Sequence, residues 1–422
     1  MNKKTNFDLN GINYTLINTT KYKIISGIIS FIRPLEKEEL TYYSFISRLL
    51  NSSCEKYPTK NALSNKMYEL YDCTAYMNVN FTYKTANCSF CFSTINSKYT
   101  NNPHLFKDCI DLIKEMMLKP LLENSGFNIK NFNEEKKGLE TDIKNIYNNK
   151  VRYSMSQFLK NIYPNNILSE SSIGNLEILK DLTPEKLYNF YLKMLNESMI
   201  SVGIIGDITQ EEVISYFNDF NLPSRKVEIL RQPNDIKYAE KVNKVIEYQD
   251  ILQARLVIGF KHNVDFYTKD YYALIVFDAM FGGIFGSSLF MNIRENYSLT
   301  YDIASSCSFS KKLFTVTCGV DKKNIEITSD LVIKEFENYC SGNVDEKLLT
   351  KAKEYIVNDL KDVDDYPFSS LTLTMESFVL NRPTFEETIN EIKEITKKDI
   401  IDVCNKIKLD TIYILAPGDQ DE

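Results

Sequence analysis

The sequence predicts an α+β fold made of two similar lobes, each with a mainly antiparallel sheet and helices packed on one face. Two observations predict this class. The strand-like segments are short, alternate in hydrophobicity and are joined by hairpin-length links. The same order of strand and helix patterns also occurs twice in the chain, at an offset of about 230 residues. A duplicated domain that forms two lobes explains both observations.

The two halves share one series of predicted elements. The first half contains a strand at residues 24–32, a helix at 36–50, a strand pair at 74–94, helices at 104–117, 133–147 and 184–195, and a strand at 201–205. The second half contains a strand at residues 254–260, a helix at 268–281, strands within 301–320, helices at 325–339, 346–361 and 398–407, and a strand at 411–415. The matching order indicates a duplication.

A polar segment that contains Pro223 and Pro233 separates the halves. Such a segment is typical of a linker between domains. We therefore expect an N-terminal domain at residues 1–222, a linker at 223–247 and a C-terminal domain at 248–422.

Composition narrows the class of protein. With 422 residues, 43% of them apolar and 25% charged, the chain is an ordinary globular protein that can bury a large core. A net charge of −7 argues against nucleic acid as a partner, because binding phosphate requires clustered Lys and Arg. The sequence contains neither an apolar run of about 20 residues, as a membrane helix requires, nor a hydrophobic signal core. We expect a cytoplasmic protein.

The nine cysteines are irregularly spaced, which predicts buried thiols rather than a disulfide framework. Cys88 and Cys91 form a CxxC pattern, as many metal sites do. They lie in a segment that predicts a strand, where residues three apart point to opposite faces. We therefore expect no shared metal ion at these two thiols.

Residues 281–301 contain three glycines, a short helical pattern and the start of a strand. Ser287 or Ser288 offers an N-cap hydroxyl for the helix, and Arg294 lies on it. Tyr301 opens the strand, and alternation would place it on one face with Ile303, Ser305 and Cys307. The segment could bring a guanidinium and a phenol to one place. A solvated arginine and a half-buried tyrosine are the alternative.

This segment resembles a motif of the pitrilysin/insulinase family of zinc peptidases, Gly-Gly-x-x-x-Ser-x-Leu-Phe-x-x-x-Arg-Glu-x-x-Gly-Leu-x-Tyr. In that family the Arg and Tyr hold the substrate carbonyl, on which negative charge grows during hydrolysis. The resemblance implies this role for Arg294 and Tyr301, and it implies a two-lobed clamshell over nearly the whole chain. Ser298 stands where the family usually has glycine.

Catalysis in that family requires the zinc motif His-x-x-Glu-His on the first helix of a catalytic domain. The residues that follow the motif resemble the segment at 56–58, and they align Ser44, Ser47 and Arg48 with the motif's His, Glu and His. Serine is a poor zinc ligand, and a cationic arginine repels a metal ion. The sequence therefore predicts a degenerate zinc helix.

Two further groups of residues bear on a metal site. Glu140 or Asp142 lies near the position of the family's third ligand, but one carboxylate does not hold catalytic zinc alone. The two histidines, His104 and His262, lie in different halves, and we expect structural roles for both. We expect no metal and no cofactor in this chain.

Three functions compete. The first is a non-catalytic, substrate-binding subunit of a heterodimeric zinc peptidase, inactive alone, whose homologous partner carries His-x-x-Glu-His and zinc. Among such proteins the chain most resembles small bacterial zinc-less members associated with elongation factor P modification. The second is a peptide-binding or scaffold protein with no role in hydrolysis. The third, an independent enzyme that uses cysteines or carboxylates, lacks a clustered constellation of residues.

Overall fold

The structure of the protein, a computed structural model, describes residues 3–220, 222–234 and 236–418. Thirteen strands lie within these residues: β1 Lys3–Leu9, β2 Ile12–Asn18, β3 Ile24–Pro34, β4 Thr74–Thr82, β5 Thr85–Ile95, β6 Leu122–Glu123, β7 Gly126–Phe127, β8 Met199–Gly206, β9 Asn243–Gln249, β10 Ala254–His262, β11 Thr300–Ser308, β12 Leu313–Val320 and β13 Ile407–Pro417.

The same residues contain fourteen α-helices: α1 Glu39–Ser52, α2 Lys60–Glu69, α3 Leu105–Leu118, α4 Ile129–Asn145, α5 Lys150–Ile162, α6 Leu176–Lys180, α7 Pro184–Glu197, α8 Gln210–Phe217, α9 Lys269–Asp278, α10 Ile325–Cys340, α11 Glu346–Val363, α12 Pro367–Leu380, α13 Phe385–Glu394 and α14 Lys397–Cys404. Short 3₁₀ turns occur at Ser97–Tyr99, Ile167–Ser169 and Lys322–Asn324, and π-helical turns at Ala279–Gly283 and Phe290–Glu295. None of the described helices is both long and apolar enough to span a membrane.

The described residues form two compact units. The first unit is drawn from the segments Met1–Lys144, Ser171–Leu230 and Val363–Thr384. The second unit is drawn from the segments Asn145–Glu170, Arg231–Asp362 and Phe385–Glu422. Each unit therefore contains a helical segment from the opposite half of the chain. The domain boundaries at residues 222 and 248 stay a prediction, and that prediction did not include an exchange of helices.

Each unit contains one large sheet, and the five strands of the second sheet have the topology of five of the six strands in the first. The first has the strand order β1-β2-β8-β3-β5-β4, and the second has the order β11-β12-β10-β13-β9. In the first, only β2 and β8 are parallel, and in the second only β13 and β9 are parallel. Reading the second sheet from β9 reproduces the order of the first sheet from β2. The predicted duplication and the mainly antiparallel α+β class are confirmed.

Opposite faces of the first sheet receive helices from different halves of the chain. Phe92 of β5 points toward α3, where its ring lies 6.2 Å from the ring of Phe106. Cys91, one residue earlier, packs in a buried cluster with Leu371 and Met375 of α12. Because successive strand residues point to opposite faces, α3 and α12 cover opposite sides of the sheet. The prediction that helices pack on one face of each sheet is therefore wrong for the exchanged helix, which covers the other face.

The second sheet has the corresponding arrangement with the exchanged helix α5. Phe260 of β10 packs against Phe336 of α10, with ring centroids 4.6 Å apart. Gly259, which points the other way, lies against Phe158 of α5. At the edge strand β9, Glu247 accepts a hydrogen bond of 2.7 Å from the hydroxyl of Tyr153 on α5. Helix α5 is thus fixed by apolar packing and by a hydrogen bond.

A glycine in a central strand admits each exchanged helix. A Cβ placed on Gly259 would lie 2.1 Å from Cζ of Phe158, and one placed on Gly203 would lie 2.2 Å from Sδ of Met375. Distances this short exclude any side chain larger than hydrogen while the helices keep their positions. The absence of a side chain on β10 and β8 therefore allows α5 and α12 to approach the sheets.

The cysteines are all free thiols, as the sequence predicts. Cys91 lies on the α12 face of the first sheet, so Cys88, three residues earlier on β5, points to the other face. Burial raises the pKa of Cys91 to about 11 and that of Cys88 well above the ordinary range. Both residues have structural roles as neutral thiols.

The glycine contacts generate a stability prediction. Gly259→Ala should lower the free energy of unfolding by about 1–3 kcal/mol, because the buried ring of Phe158 has to leave its packed position. Gly203→Ala should cost less, because the thioether of Met375 has more rotatable bonds and adapts. The measurement is denaturant unfolding of the full chain.

The matched control is Gly418→Ala, whose added Cβ would meet its nearest neighbour, the backbone of Gln249, at 3.6 Å. This is an ordinary contact distance, so we expect little change in stability. A Gly259→Ala variant as stable as Gly418→Ala would contradict the close approach of α5 to the sheet.

Candidate functional site

The first candidate site is the segment between α9 and β11 in the second unit. Helix α9 passes into the π-helical turn Ala279–Gly283, and the chain then turns at Gly286, whose φ is +77°. Gly282 packs so closely on β11 that a Cβ there would lie 2.6 Å from the backbone nitrogen of Ser305. The glycines predicted to shape this turn are therefore required for a close approach and for a left-handed conformation.

The short helix after the turn differs from its prediction. Neither serine caps it through a hydroxyl: Ser288 Oγ lies 2.6 Å from Tyr339 Oη, and Ser287 Oγ is buried without a partner among the described residues. The backbone carbonyl of Ser287 accepts from Met291 instead, and from Phe290 onward the helix is π-helical. Asn292 Nδ2 donates to Glu335 on α10 at 3.1 Å, which holds this π-helical turn in place.

Arg294 lies on this π-helical turn with its side chain 43% exposed. Its guanidinium carbon is 4.8 Å from the ring centroid of Phe290, a cation–π distance. Phe290 in turn packs against Phe285, with ring centroids 4.6 Å apart and the rings tilted by 52°, and Phe285 is 79% exposed. Nε of Arg294 lies 4.0 Å from Oε1 of Glu295, which makes a loose ion pair. The guanidinium is therefore oriented by an aromatic ring and not neutralised by a close ion pair.

The turn between Arg294 and Tyr301 keeps a glycine-like conformation without a glycine. Ser298 has a φ of +52°, and its N–H donates to the carbonyl of Arg294 at 3.0 Å. A non-glycine residue in this region costs about 1 kcal/mol or more. The backbone at residue 298 therefore has the left-handed conformation that glycine adopts easily, although a serine occupies the position here.

Tyr301 does not share a face with Ile303 and Ser305, contrary to the expectation from alternation. A β-bulge between Thr300 and Asp302 shifts the register of β11 against β12. The bulge leaves Tyr301 62% exposed, while Ile303 and Ser305 are buried. Bulges re-aim side chains in this way and recur next to functional sites.

The hydroxyl of Tyr301 donates to Oδ1 of Asp321 at 3.2 Å. This hydrogen bond to a carboxylate raises the pKa of Tyr301 above its ordinary value. The phenol therefore stays protonated, and able to donate, throughout the neutral range. Arg294 contacts Phe290 and Glu295 whereas Tyr301 contacts Asp321, so in this structure the two predicted site residues are both exposed but have separate contacts.

The second candidate site is α1 in the first unit, the helix that the resemblance predicts to be a degenerate zinc helix. Ser47 Oγ donates to the carbonyl of Ser44 at 2.9 Å, so this hydroxyl is turned back onto its own helix. Arg48 Nε donates to Glu135 at 3.2 Å, and its Nη1 donates to Asp142 at 2.6 Å. At the positions of the family's ligands, the chain has a guanidinium bound by two carboxylates of α4.

A third residue of α4 makes room for this guanidinium. Glu135, Gly138 and Asp142 are spaced at i, i+3 and i+7, so they share one face of the helix. A Cβ on Gly138 would lie 2.6 Å from Nη2 of Arg48. The arginine side chain therefore occupies the space that a larger residue at 138 would fill.

Only one of the two carboxylates predicted near the third-ligand position contacts α1. Asp142 contacts Arg48, whereas Glu140 accepts from Lys144 in an exposed i, i+4 pair on α4. Glu135, which the sequence analysis missed, is the other carboxylate at the site. The helical spacing of 135 from 142 was the signal that could have identified it.

The residues at this site do not fit zinc. Two serines offer neutral hydroxyls, one of them turned onto the helix, and the cation of Arg48 already binds the available carboxylates. Across the described ranges, no group of three or more His, Cys, Asp and Glu side chains could hold a metal ion. We derive no chemical step through a metal at this site.

The histidines have structural roles, although one has a thiol neighbour that sequence reasoning missed. His104 is exposed at the N-cap of α3. His262 is buried, with Nε2 lying 3.7 Å from Cys307 Sγ and Nδ1 accepting from the N–H of Val264. Burial lowers the pKa of His262 to about 3 and raises the pKa of Cys307 well above its ordinary value. Both groups are neutral at pH 7, so they do not form a thiolate–imidazolium pair.

Comparison with known proteins identifies similar chains. Residues 181–356 match the family model described as "Peptidase M16 inactive domain". The Bacillus subtilis (strain 168) protein named "Probable inactive metalloprotease YmfF" is 26% identical over 408 residues, which cover 96% of each chain. The Helicobacter pylori (strain ATCC 700392 / 26695) "Non-peptidase homolog YmxG" is 22% identical over 307 residues, 71% of this chain and 65% of that protein.

Solved structures show the same fold. A conserved protein from Enterococcus faecalis V583 superposes with a TM-score of 0.92 at 24% identity, covering 99% of this chain and 100% of that chain. The peptidase M16 inactive domain from Pseudomonas fluorescens superposes with a TM-score of 0.79 at 14% identity, covering 99% of each chain.

The sequence resemblance, the matched family model and the shared two-lobed fold agree. The chain is thus similar over nearly its whole length to a protein named as an inactive metalloprotease, residues 181–356 match the M16 inactive domain, and the sequence itself lacks the His-x-x-Glu-His motif.

Proposed function

We propose that the chain is the non-catalytic, substrate-binding subunit of a heterodimeric zinc peptidase. A homologous partner carries His-x-x-Glu-His and zinc, and this chain supplies Arg294 and Tyr301 to the partner's site. The observation that carries the proposal is that both side chains are exposed on backbone of unusual geometry. A π-helical turn presents Arg294, a strained Ser298 follows it, and a β-bulge presents Tyr301. Such costly features concentrate at functional sites.

The two side chains suit a carbonyl that gains negative charge. The guanidinium of Arg294 offers a planar set of N–H donors without a close carboxylate to neutralise it. The phenol of Tyr301 offers one O–H donor, which must rotate from Asp321 to reach a substrate. Once the phenol has turned toward the substrate, the two donors stabilise an oxyanion together, and they need not come from the chain that holds the metal.

The substrate of the proposed complex is a peptide in extended conformation. Tyr301 lies near the start of β11, an edge strand of its sheet, and an extended peptide pairs through its main chain at such an edge. Main-chain pairing recognises the extended conformation of a peptide and depends little on its side chains. The proposal therefore names a class of substrate and not a peptide sequence. Nine free cysteines suit a reducing compartment, and the proposal includes the cytoplasm as the location.

The alternative is a peptide-binding or scaffold protein that takes no part in hydrolysis. The degenerate zinc helix suits this alternative equally well, because Arg48 and its carboxylates stabilise the fold without chemistry. The exposed Arg294 and Tyr301 favour the first proposal, because a scaffold has no chemical need for both donors on strained backbone.

The first prediction concerns metal. The purified chain should bind no stoichiometric zinc and cleave no peptide, because Arg48 holds the carboxylates that a metal would need. A triple variant, Ser44→His, Ser47→Glu and Arg48→His, rebuilds the motif and frees Glu135 and Asp142, so it should gain zinc. The measurement is metal analysis after dialysis against a zinc buffer.

The control for this experiment is the single variant Ser47→Glu, which adds a carboxylate and keeps the arginine, and which should stay free of zinc. One tightly held zinc per wild-type chain, together with proteolysis that a chelator abolishes, would contradict the non-catalytic assignment.

The second prediction concerns the carbonyl donors. In a complex reconstituted with the zinc-bearing homologue that co-purifies from native cells, Arg294→Ala or Tyr301→Phe should lower turnover about 100- to 1000-fold. Arg294→Lys should restore little, because a flexible point charge does not reproduce a planar fork. Steady-state cleavage, co-elution of the two chains and the partner's zinc content are measured for each variant.

Two exposed residues provide matched controls. Tyr297→Phe removes a phenol hydroxyl four residues before Tyr301, and Arg152→Ala removes an exposed guanidinium on α5. Both should leave turnover close to that of the wild type. If Arg294→Ala and Tyr301→Phe also keep wild-type turnover, the scaffold alternative stands and the first proposal fails.

A further inference from the structure

The edge strand β4 of the first unit exposes main-chain groups that an added strand would use. β4 is the last strand of its sheet and pairs along one side with β5. In an antiparallel edge strand, the N–H and C=O of every second residue point away from the sheet. Such an edge pairs readily with an extended peptide unless something covers it.

A side chain of α1 covers the middle of this edge. Asn51 Nδ2 donates to the carbonyl of Met77 at 2.9 Å, and Asn51 Oδ1 accepts from the N–H of Met77 at 2.7 Å. Both main-chain groups of Met77 therefore point away from β5. By the two-residue period of the strand, the groups of Ala75 and Val79 point the same way.

The side-chain amide of Asn51 reproduces what a neighbouring strand would offer. A peptide group presents one N–H donor and one carbonyl acceptor, and the primary amide of asparagine presents the same pair. Both bonds have ordinary hydrogen-bond lengths, and their directions fix which amide atom is oxygen. A peptide that pairs along β4 must therefore displace Asn51 or stop on either side of Met77.

The end of α1 that carries Asn51 is held rigidly. Asn131 of α4 accepts from Ser52 Oγ at 3.2 Å and donates to Ser53 Oγ at 2.6 Å. Ser52 and Ser53 are both buried. One turn earlier, Arg48 binds α4 through Glu135 and Asp142. Asn51 is thus presented by a helix fixed at two places, which lowers the entropy cost of keeping its amide on the edge.

We propose that Asn51 closes the free edge of β4 to an extended peptide strand. The closure is competitive, because the peptide main chain and the Asn51 amide use the same N–H and C=O of Met77. This inference does not depend on Arg294, Tyr301 or a partner chain, so it stands or fails separately from the proposed function.

The test uses the full chain alone and a fluorescein-labelled peptide of alternating threonine and valine, followed by fluorescence anisotropy. Asn51→Leu keeps the size of the side chain and removes both hydrogen bonds, so it should bind the peptide about tenfold more tightly. Exchange of the Met77 amide hydrogen should speed up in the variant and slow again when peptide is added. A purely structural role of Asn51 would not produce this second change.

Two further variants keep the test decisive. Asn78→Leu adds the same side chain to an exposed position of β4, leaves Asn51 in place and should bind peptide as the wild type does. Asn51→Asp retains the acceptor and loses the donor, so its gain in peptide affinity should be intermediate. It also serves as the test variant if Asn51→Leu fails to fold. Unchanged peptide affinity in the folded Asn51 variants would overturn the proposal. Self-association of these variants without a gain in peptide affinity would overturn it also.

Discussion

In each large sheet, a side chain from an exchanged helix fills the space over a glycine in a central strand. The rest of the fold depends on this packing. Phe158 of α5 lies over Gly259, and Met375 of α12 lies over Gly203. Each contact lies on the sheet face opposite the one that α3 or α10 covers. Because α5 and α12 come from opposite halves of the chain, neither half completes its own unit. The duplicated sequence therefore folds as two units with shared segments, in which the stability of one half includes helices from the other.

Hydrophobic periodicity was sufficient to predict the duplication and the class of fold. The pattern of each strand and helix is local, and the repeated order implies one topology, which the two sheets have. The exchange of α5 and α12 could not be predicted in this way, because an amphipathic pattern identifies a helix's apolar face but not the sheet that the face covers. The same limit applies to the predicted boundaries at residues 222 and 248.

The identity of the candidate site residues was predictable where a motif specifies the residue types. The direction of their side chains was less predictable, because it depends on backbone geometry. The motif identified Arg294 and Tyr301, but strict alternation placed Tyr301 on the wrong face, because nothing in the residue pattern indicated the bulge after Thr300. Counting along the chain found Asp142 and missed Glu135. Asking which residues share a helix face with Asp142 would have identified both carboxylates and the glycine between them. The link to elongation factor P modification stays a prediction.

The central claim about this site is that the guanidinium of Arg48 joins α1 to α4 through two carboxylates. Arg48 binds Glu135 and Asp142, and the motif positions beside it hold serines, so the positive charge at this site belongs to the protein itself. A double-mutant cycle with Arg48→Met and Glu135→Gln, followed by denaturant unfolding of the full chain, tests this claim most directly. The account predicts a favourable coupling of about 1 kcal/mol, because both side chains are partly shielded from water and share a charge-assisted hydrogen bond. A coupling energy indistinguishable from zero would mean that Arg48 and Glu135 do not stabilise the fold by interacting with each other. The account of this site would then be wrong.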